Sequence, residues 1–193
     1  MAINNQQKGT SMRRLPIYIC VDTSGSMREA LEALRSCVQV LISAMRQDPY
    51  ALESVYLSII TYNTHAKEVL PPTPLMDVVV PAFTSGGASC LGAALECVVR
   101  AVRRDRIAAN KAQRSDYKPI LFIFTDGTPS DPFVYNATVP IIKALEFTNI
   151  AVCVAGAKAD VAVLKQLTDL VISLADAEAR QIKDCIRWVS SSL

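Results

Sequence analysis

The chain has 193 residues, 51% of them hydrophobic and 20% charged, with a formal net charge of +2. That length suits one domain with a sizeable core, and no uncharged apolar stretch approaches the ~18 residues a membrane span needs. So small a charge gives no argument for a nucleic-acid partner.

Residues 1–11 are polar and Asn/Gln-rich, without periodicity and without the apolar segment and small-residue cleavage site of a secretory signal. They are expected to be a disordered lead-in, with a single domain over 12–193. Residues 15–21 are apolar at almost every position, as in a strand covered on both faces of a parallel sheet. Residues 27–45 then carry Ala30, Leu31, Leu34, Val38, Leu41, Ile42 and Met45 at helical spacing, and Asp48-Pro49 ends the pattern. A second strand is predicted over 55–62, with 66–70 as a short antiparallel partner across the turn Asn63-Thr64-His65. Prolines at 71, 72 and 74 are expected to close that unit. Residues 78–83 lead into the polar loop Thr84-Ser85-Gly86-Gly87-Ala88-Ser89, after which 91–102 return to helical spacing. A charged connector spans 103–118. Residues 120–125 predict another buried strand, ending in the dense turn signal Asp126-Gly127-Thr128-Pro129-Ser130-Asp131-Pro132. Helices over 138–147, 160–167 and 177–189 and strands over 150–155 and 171–174 complete the chain. Strands alternating with helices predict an α/β fold, a doubly wound and mostly parallel central sheet flanked by helices, with one antiparallel edge strand.

Asp22-Thr23-Ser24-Gly25-Ser26 puts a carboxylate and two hydroxyls where the first buried strand must end. These are hard oxygen donors, which suit Mg2+, Ca2+ or Mn2+ better than zinc or copper. In open parallel sheets, ligands bind outside the carboxyl ends of the strands, where the strand order reverses. Asp22 and Asp126 both fall there, because residues 16–22 and 119–126 each run from a proline through an apolar strand to an aspartate and a small-residue turn. If the two strands are neighbours, the aspartates face one crevice and raise each other's pKa unless a cation lies between them.

Plainer readings exist for each piece. Ser26-Met27-Arg28-Glu29 also has the form of a capping box and could simply start the first helix. Asp126-Gly127 alone is an ordinary turn. His65, the only histidine, falls in the predicted hairpin turn, as a surface residue rather than a base. Residues 100–118 hold seven Arg or Lys against two Asp, which reads as a solvated helix end and loop or as a dock for an acidic partner. Cys20, Cys37, Cys90, Cys97, Cys153 and Cys185 are scattered through apolar patterns without CxxC pairs, which fits reduced core thiols in a cytoplasm. An aspartate-nucleophile phosphatase would want a second acid where Ser24 stands, and neither a Gly-x-Ser-x-Gly elbow nor a GxxxxGK loop is present. With its one histidine in a turn, the chain lacks residues for acid/base work, so a binding module is expected rather than an enzyme.

Asp22-x-Ser24-x-Ser26, Gly86-Gly87-Ala88-Ser89-x-x-Gly92 and Thr125-Asp126-Gly127 together resemble the three segments of the metal-ion-dependent adhesion site in von Willebrand factor A domains. Within that superfamily, Met12-Arg13-Arg14-Leu15-Pro16, Leu52-Glu53-Ser54-Val55-Tyr56-Leu57-Ser58 and Trp188-Val189-Ser190-Ser191-Ser192 resemble the bacterial tellurium-resistance A-domain proteins, over 12–193. The resemblance implies a six-coordinate divalent cation, usually Mg2+, with Mn2+ or Ca2+ as alternatives. Ser24 and Ser26 would ligate it directly, Asp22 and Asp126 directly or through water, and Ser89 would add one more hydroxyl. The family most often has threonine at the position of Ser89; serine keeps the oxygen but loses the methyl that restricts its rotamer. The ion's open position would accept a carboxylate from a partner protein, in a stress-response system with kinase-like and phosphatase-like components and neither membrane nor nucleic acid. The alternative is a metal-dependent phosphohydrolase using Asp22.

Overall fold

The fold comes from a computed structural model in which residues 13–106, 115–155 and 160–173 are described. The expected lead-in over 1–11 and final helix over 177–189 lie outside them. Six strands, β1 (Leu15–Asp22), β2 (Val55–Tyr62), β3 (Ala66–Pro74), β4 (Ile120–Thr125), β5 (Asn149–Val154) and β6 (Val171–Ser173), form one sheet in the order β3-β2-β1-β4-β5-β6. Only β3 runs antiparallel to its neighbour. The helices are α1 (Leu31–Met45), α2 (Pro49–Ser54), α3 (Leu91–Asp105), α4 (Pro132–Ala144) and α5 (Val161–Leu164). Among the described residues no helix is long and apolar enough to cross a membrane.

β1 is central, and all eight of its residues are buried. Because side chains alternate along a strand, Leu15, Ile17, Ile19 and Val21 pack with Leu34, Val38 and Met45 of α1 on one face. Tyr18 and Cys20 pack with Leu95 and Val98 of α3 on the other. Both faces therefore need apolar residues, which explains the unbroken run in the sequence. The register sets Asp22 opposite Tyr62 and Val21 opposite Phe124, so Asp22 lies level with Thr125 at the end of β4. The strand order reverses between β1 and β4, as the paired aspartates require.

Several boundaries differ from expectation, and four of the differences have a clear local reason. α1 begins at Leu31 rather than 27, because residues 25–28 wind into a single 3-10 turn first. The short helix α2 follows Asp48, whose carboxylate accepts from the Tyr50 and Ala51 amides at 2.9 and 3.4 Å, with Pro49 in the first turn. β3 continues through its prolines to Pro74; as the edge strand it can lose amide donors without breaking the sheet. α4 starts at Pro132 rather than 138, the proline again taking a first-turn position where its missing N–H is no loss.

α3 and α4 touch at Gly92. A Cβ there would come within 2.8 Å of the Asp131 carboxylate and of the Val134 carbonyl carbon, and closer still to the Tyr135 amide. Backbone atoms cannot give way as a flexible side chain would, so Gly92→Ala should destabilise the fold by about 1–3 kcal/mol. A urea midpoint equal to that of the unaltered protein would show that the two helices do not approach this closely.

Candidate metal centre

The carboxylate of Asp22 is fully buried at the end of β1, so each oxygen needs partners. Oδ1 accepts the amide of Ser24 at 2.8 Å. Oδ2 accepts the hydroxyls of Ser89 at 2.7 Å and Thr125 at 3.1 Å. An ionised carboxylate has about four acceptor sites, so three are filled by three separate stretches of chain. The hydroxyls of Ser24 and Ser26 are hydrogen-bonded to each other at 3.0 Å. Neither caps a helix: α1 has Ala30 at its N-cap and no side-chain cap bond, so the capping box is not formed.

All five residues singled out in the sequence come to this end of the sheet. Ser24, Ser26, Ser89 and Asp126 line one open crevice of about 460 Å³, together with Gly87, Ala88, Gly127, Thr128 and Ser130; Asp22 lies beneath it, in contact with Ser89. The rotamer freedom that serine gains over threonine is removed here by burial and by the bond to Asp22. Because Ser89 spends its hydrogen on Asp22, its lone pairs are left for another partner.

Some supporting bonds escaped the sequence reading. Thr125 satisfies Asp22, and Ser130 accepts the Ser89 amide at 3.3 Å while donating its own amide to the Ser89 carbonyl at 2.8 Å. Asp131, at the N-cap position of α4, turns away and accepts the Gly92 and Ala93 amides at 3.0 and 2.8 Å. It thus supplies the cap that α3 lacks of its own. These bonds join elements far apart in sequence, and only the density of small polar residues over 126–131 hinted at them.

Burial pushes the Asp22 carboxyl pKa up; bonds from Ser89 and Ser24 oppose this, and the charge of Asp126 adds to the rise. No group of three or more His, Cys, Asp or Glu among the described residues is placed to hold a metal ion. The oxygens here are mainly hydroxyl, a donor set that suits a hard cation. Adjacent ligands in an octahedron with 2.0–2.1 Å bonds lie about 2.9 Å apart, close to the Ser24–Ser26 hydroxyl spacing of 3.0 Å. The donor set fits Mg2+ or a similar ion.

Comparison with known proteins agrees with this architecture. The family profile of the von Willebrand factor type A domain matches residues 17–128. No curated protein matches the sequence. Among solved structures, BatB, a conserved hypothetical protein of Bacteroides thetaiotaomicron, superposes with a TM-score of 0.60 at 12% identity, over 92% of this chain and 98% of its own. Proximal thread matrix protein 1 of the mussel byssus, solved with zinc in its metal-ion-dependent adhesion site, gives 0.63 at 12% identity over 92% of this chain and 46% of its own. The pilus adhesin SpaC of Lactobacillus rhamnosus GG gives 0.67 at 14% identity over 91% of this chain and 30% of its own. The chain thus spans less than half of the two latter proteins, and at these identities the likeness concerns the fold.

The raised carboxyl of Asp22 has a measurable consequence without metal. The folded chain binds that proton more tightly than the unfolded chain, so the contribution of Asp22 to metal-free stability is largest at acid pH and is lost as pH rises through the raised value. Asp22→Asn keeps an oxygen for the Ser24 amide, and the Ser89 and Thr125 hydroxyls can rotate to accept from the new NH2. In chelator at neutral pH the variant should unfold in urea no earlier than the unaltered protein, and without that pH dependence. A large loss of stability would show that the charge itself holds the loops.

Proposed function

Because the chain belongs to the von Willebrand factor type A domain family, we propose that it is a divalent-metal-dependent protein-interaction module, not an enzyme. The ion, Mg2+ by preference and Mn2+ or Ca2+ as alternatives, would be held by the hydroxyls of Ser24, Ser26 and Ser89, with Asp22 and Asp126 binding directly or through water. Bound there, it would supply a Lewis-acidic position open to a carboxylate from a partner protein. The observation that carries this reading is the juxtaposition of the Ser24 and Ser26 hydroxyls, 3.0 Å apart, above a buried carboxylate already engaged by Ser89.

The chain's own residues have distinct parts in this scheme. Asp22 accepts the Ser89 hydrogen and so aims the Ser89 lone pairs away from itself. Mostly neutral donors would leave net positive charge on the ion, which is what draws in an anionic side chain. Asp126, half-buried at the rim, lowers that charge and sets how strongly the partner is held. The resemblance of 12–16 and 52–58 to tellurium-resistance A-domain proteins supports a cytoplasmic, bacterial stress-response setting with kinase-like or phosphatase-like components as partners. Among the described residues, Cys20, Cys97 and Cys153 are buried in the apolar core, in keeping with a reducing compartment.

An ion that binds only the folded state at about 100 times its dissociation constant adds about 2.7 kcal/mol of stability. Mg2+ or Mn2+ should therefore raise the melting temperature of the protein, and Ser26→Ala, which removes one hydroxyl at an exposed position, should abolish the rise. A melting temperature indifferent to both ions would refute metal binding. Proteins retained from a bacterial lysate by the immobilised chain in Mg2+ should be released by chelator. Steady phosphate release from p-nitrophenyl phosphate, lost in Asp22→Ala, would instead establish the phosphohydrolase.

A further inference from the structure

Ser89 sits in a stretch that belongs to no strand or helix, between residue 78 and the start of α3, so something else must fix its hydroxyl. On one side the loop is bonded to the first segment: the Gly86 amide donates to the Thr23 carbonyl at 2.8 Å, and the Gly25 amide donates to the Gly87 carbonyl at 3.0 Å. On the other side stands the turn between β2 and β3, residues 63–65. It is closed upon itself by the Asn63 amide on the His65 carbonyl at 3.0 Å and by the His65 amide on the Asn63 side chain at 3.1 Å. From this closed turn, the Thr64 hydroxyl accepts the Ala88 amide at 3.1 Å and the Asn63 carbonyl accepts the Cys90 amide at 3.0 Å. Those two bonds bracket Ser89.

The approach is close enough to dictate the residue facing it. Gly87 has φ +77°, a conformation that glycine adopts without penalty. A Cβ there would collide with the Thr64 hydroxyl and lie 3.3 Å from the Thr64 amide. The pairing of Thr64 with Gly87 is thus mutual. Thr64 does not line the crevice, so it would not itself ligate the ion.

We propose that Thr64 is a positioning residue for the metal site: through the amide of Ala88 it holds the Ser89 loop in place, so that the Ser89 hydroxyl stays at the crevice where the ion would bind. The inference rests on the metal reading above. Loop and turn meet at an exposed hydrogen bond, and the Ala88 amide can find water when the hydroxyl is removed. The fold therefore survives the loss, while the loop gains freedom that metal binding must then remove. One net hydrogen bond of about 0.5–1.5 kcal/mol corresponds to roughly a two- to twelvefold change in affinity.

The test is calorimetric titration of the full chain with MnCl2. Thr64→Val, of the same shape without the hydroxyl, should weaken Mn2+ binding severalfold with its melting temperature in chelator unchanged. Thr64→Ser, which restores the hydroxyl, should bind as the unaltered protein does. Equal Mn2+ affinity in Thr64→Val, or an equal loss in Thr64→Ser, would overturn the proposal. Amide hydrogen exchange in chelator tests the latch with no metal present. Exchange at Ala88 should quicken in Thr64→Val and not in Thr64→Ser, and unchanged exchange would overturn the proposal. If the unaltered protein does not titrate with Mn2+, the metal reading falls, and the exchange result still decides whether Thr64 holds the loop.

Discussion

Asp22 has no exposed surface, two oxygens to satisfy, and three partners drawn from three stretches of chain: the Ser24 amide, the Ser89 hydroxyl and the Thr125 hydroxyl. An ionised carboxylate taken out of water costs several kcal/mol unless it is compensated. Hydrogen bonds compensate part of that cost, and the nearby charge of Asp126 works against them. A cation in the crevice would relieve both. The folding of these loops and the binding of an ion would thus be two sides of one electrostatic problem, since the same carboxylate can serve both.

The sheet supplies the rigid half of the arrangement. β1 and β4 are parallel neighbours, held in register from Ile17↔Ile120 to Val21↔Phe124, so their last residues end side by side whatever the loops do. The loops supply the donors, and each is pinned by bonds to a different neighbour. The loop before α3 leans on the first segment and on the β2–β3 turn, and the loop after β4 is tied to α3 through Asp131. Functional groups carried on loops over a rigid scaffold can vary without loss of the fold. That accounts for a fold shared with proteins of 12–14% identity.

What could be read in the sequence was whatever local chemistry decides. The apolar runs ending in Asp22 and Asp126 disclosed two buried strands and the end of the sheet they share, because burial on both faces leaves no room for polar residues. α1 and α3 followed from spacing alone. Boundaries were misplaced where a turn residue also suits a helix start: Pro132 reads as loop but opens α4, and Asp48-Pro49 stops one helix while capping the next. The prolines of β3 are strand breakers only in the middle of a sheet, and edge position is not written in the residues themselves. Thr64, Thr125 and Ser130 act across long separations in sequence, through contacts that no pattern along the chain encodes. Ser89 was singled out by its motif, but its bond to Asp22 appeared only in the structure.

The central claim is that an ion sits on the Ser24 and Ser26 hydroxyls, above Asp22. Anomalous diffraction from crystals soaked in MnCl2 addresses it directly. The account predicts one strong manganese peak in the crevice lined by Ser24, Ser26, Ser89 and Asp126, within bonding distance of the serine hydroxyls. Strong manganese peaks elsewhere, with none in this crevice, would contradict it.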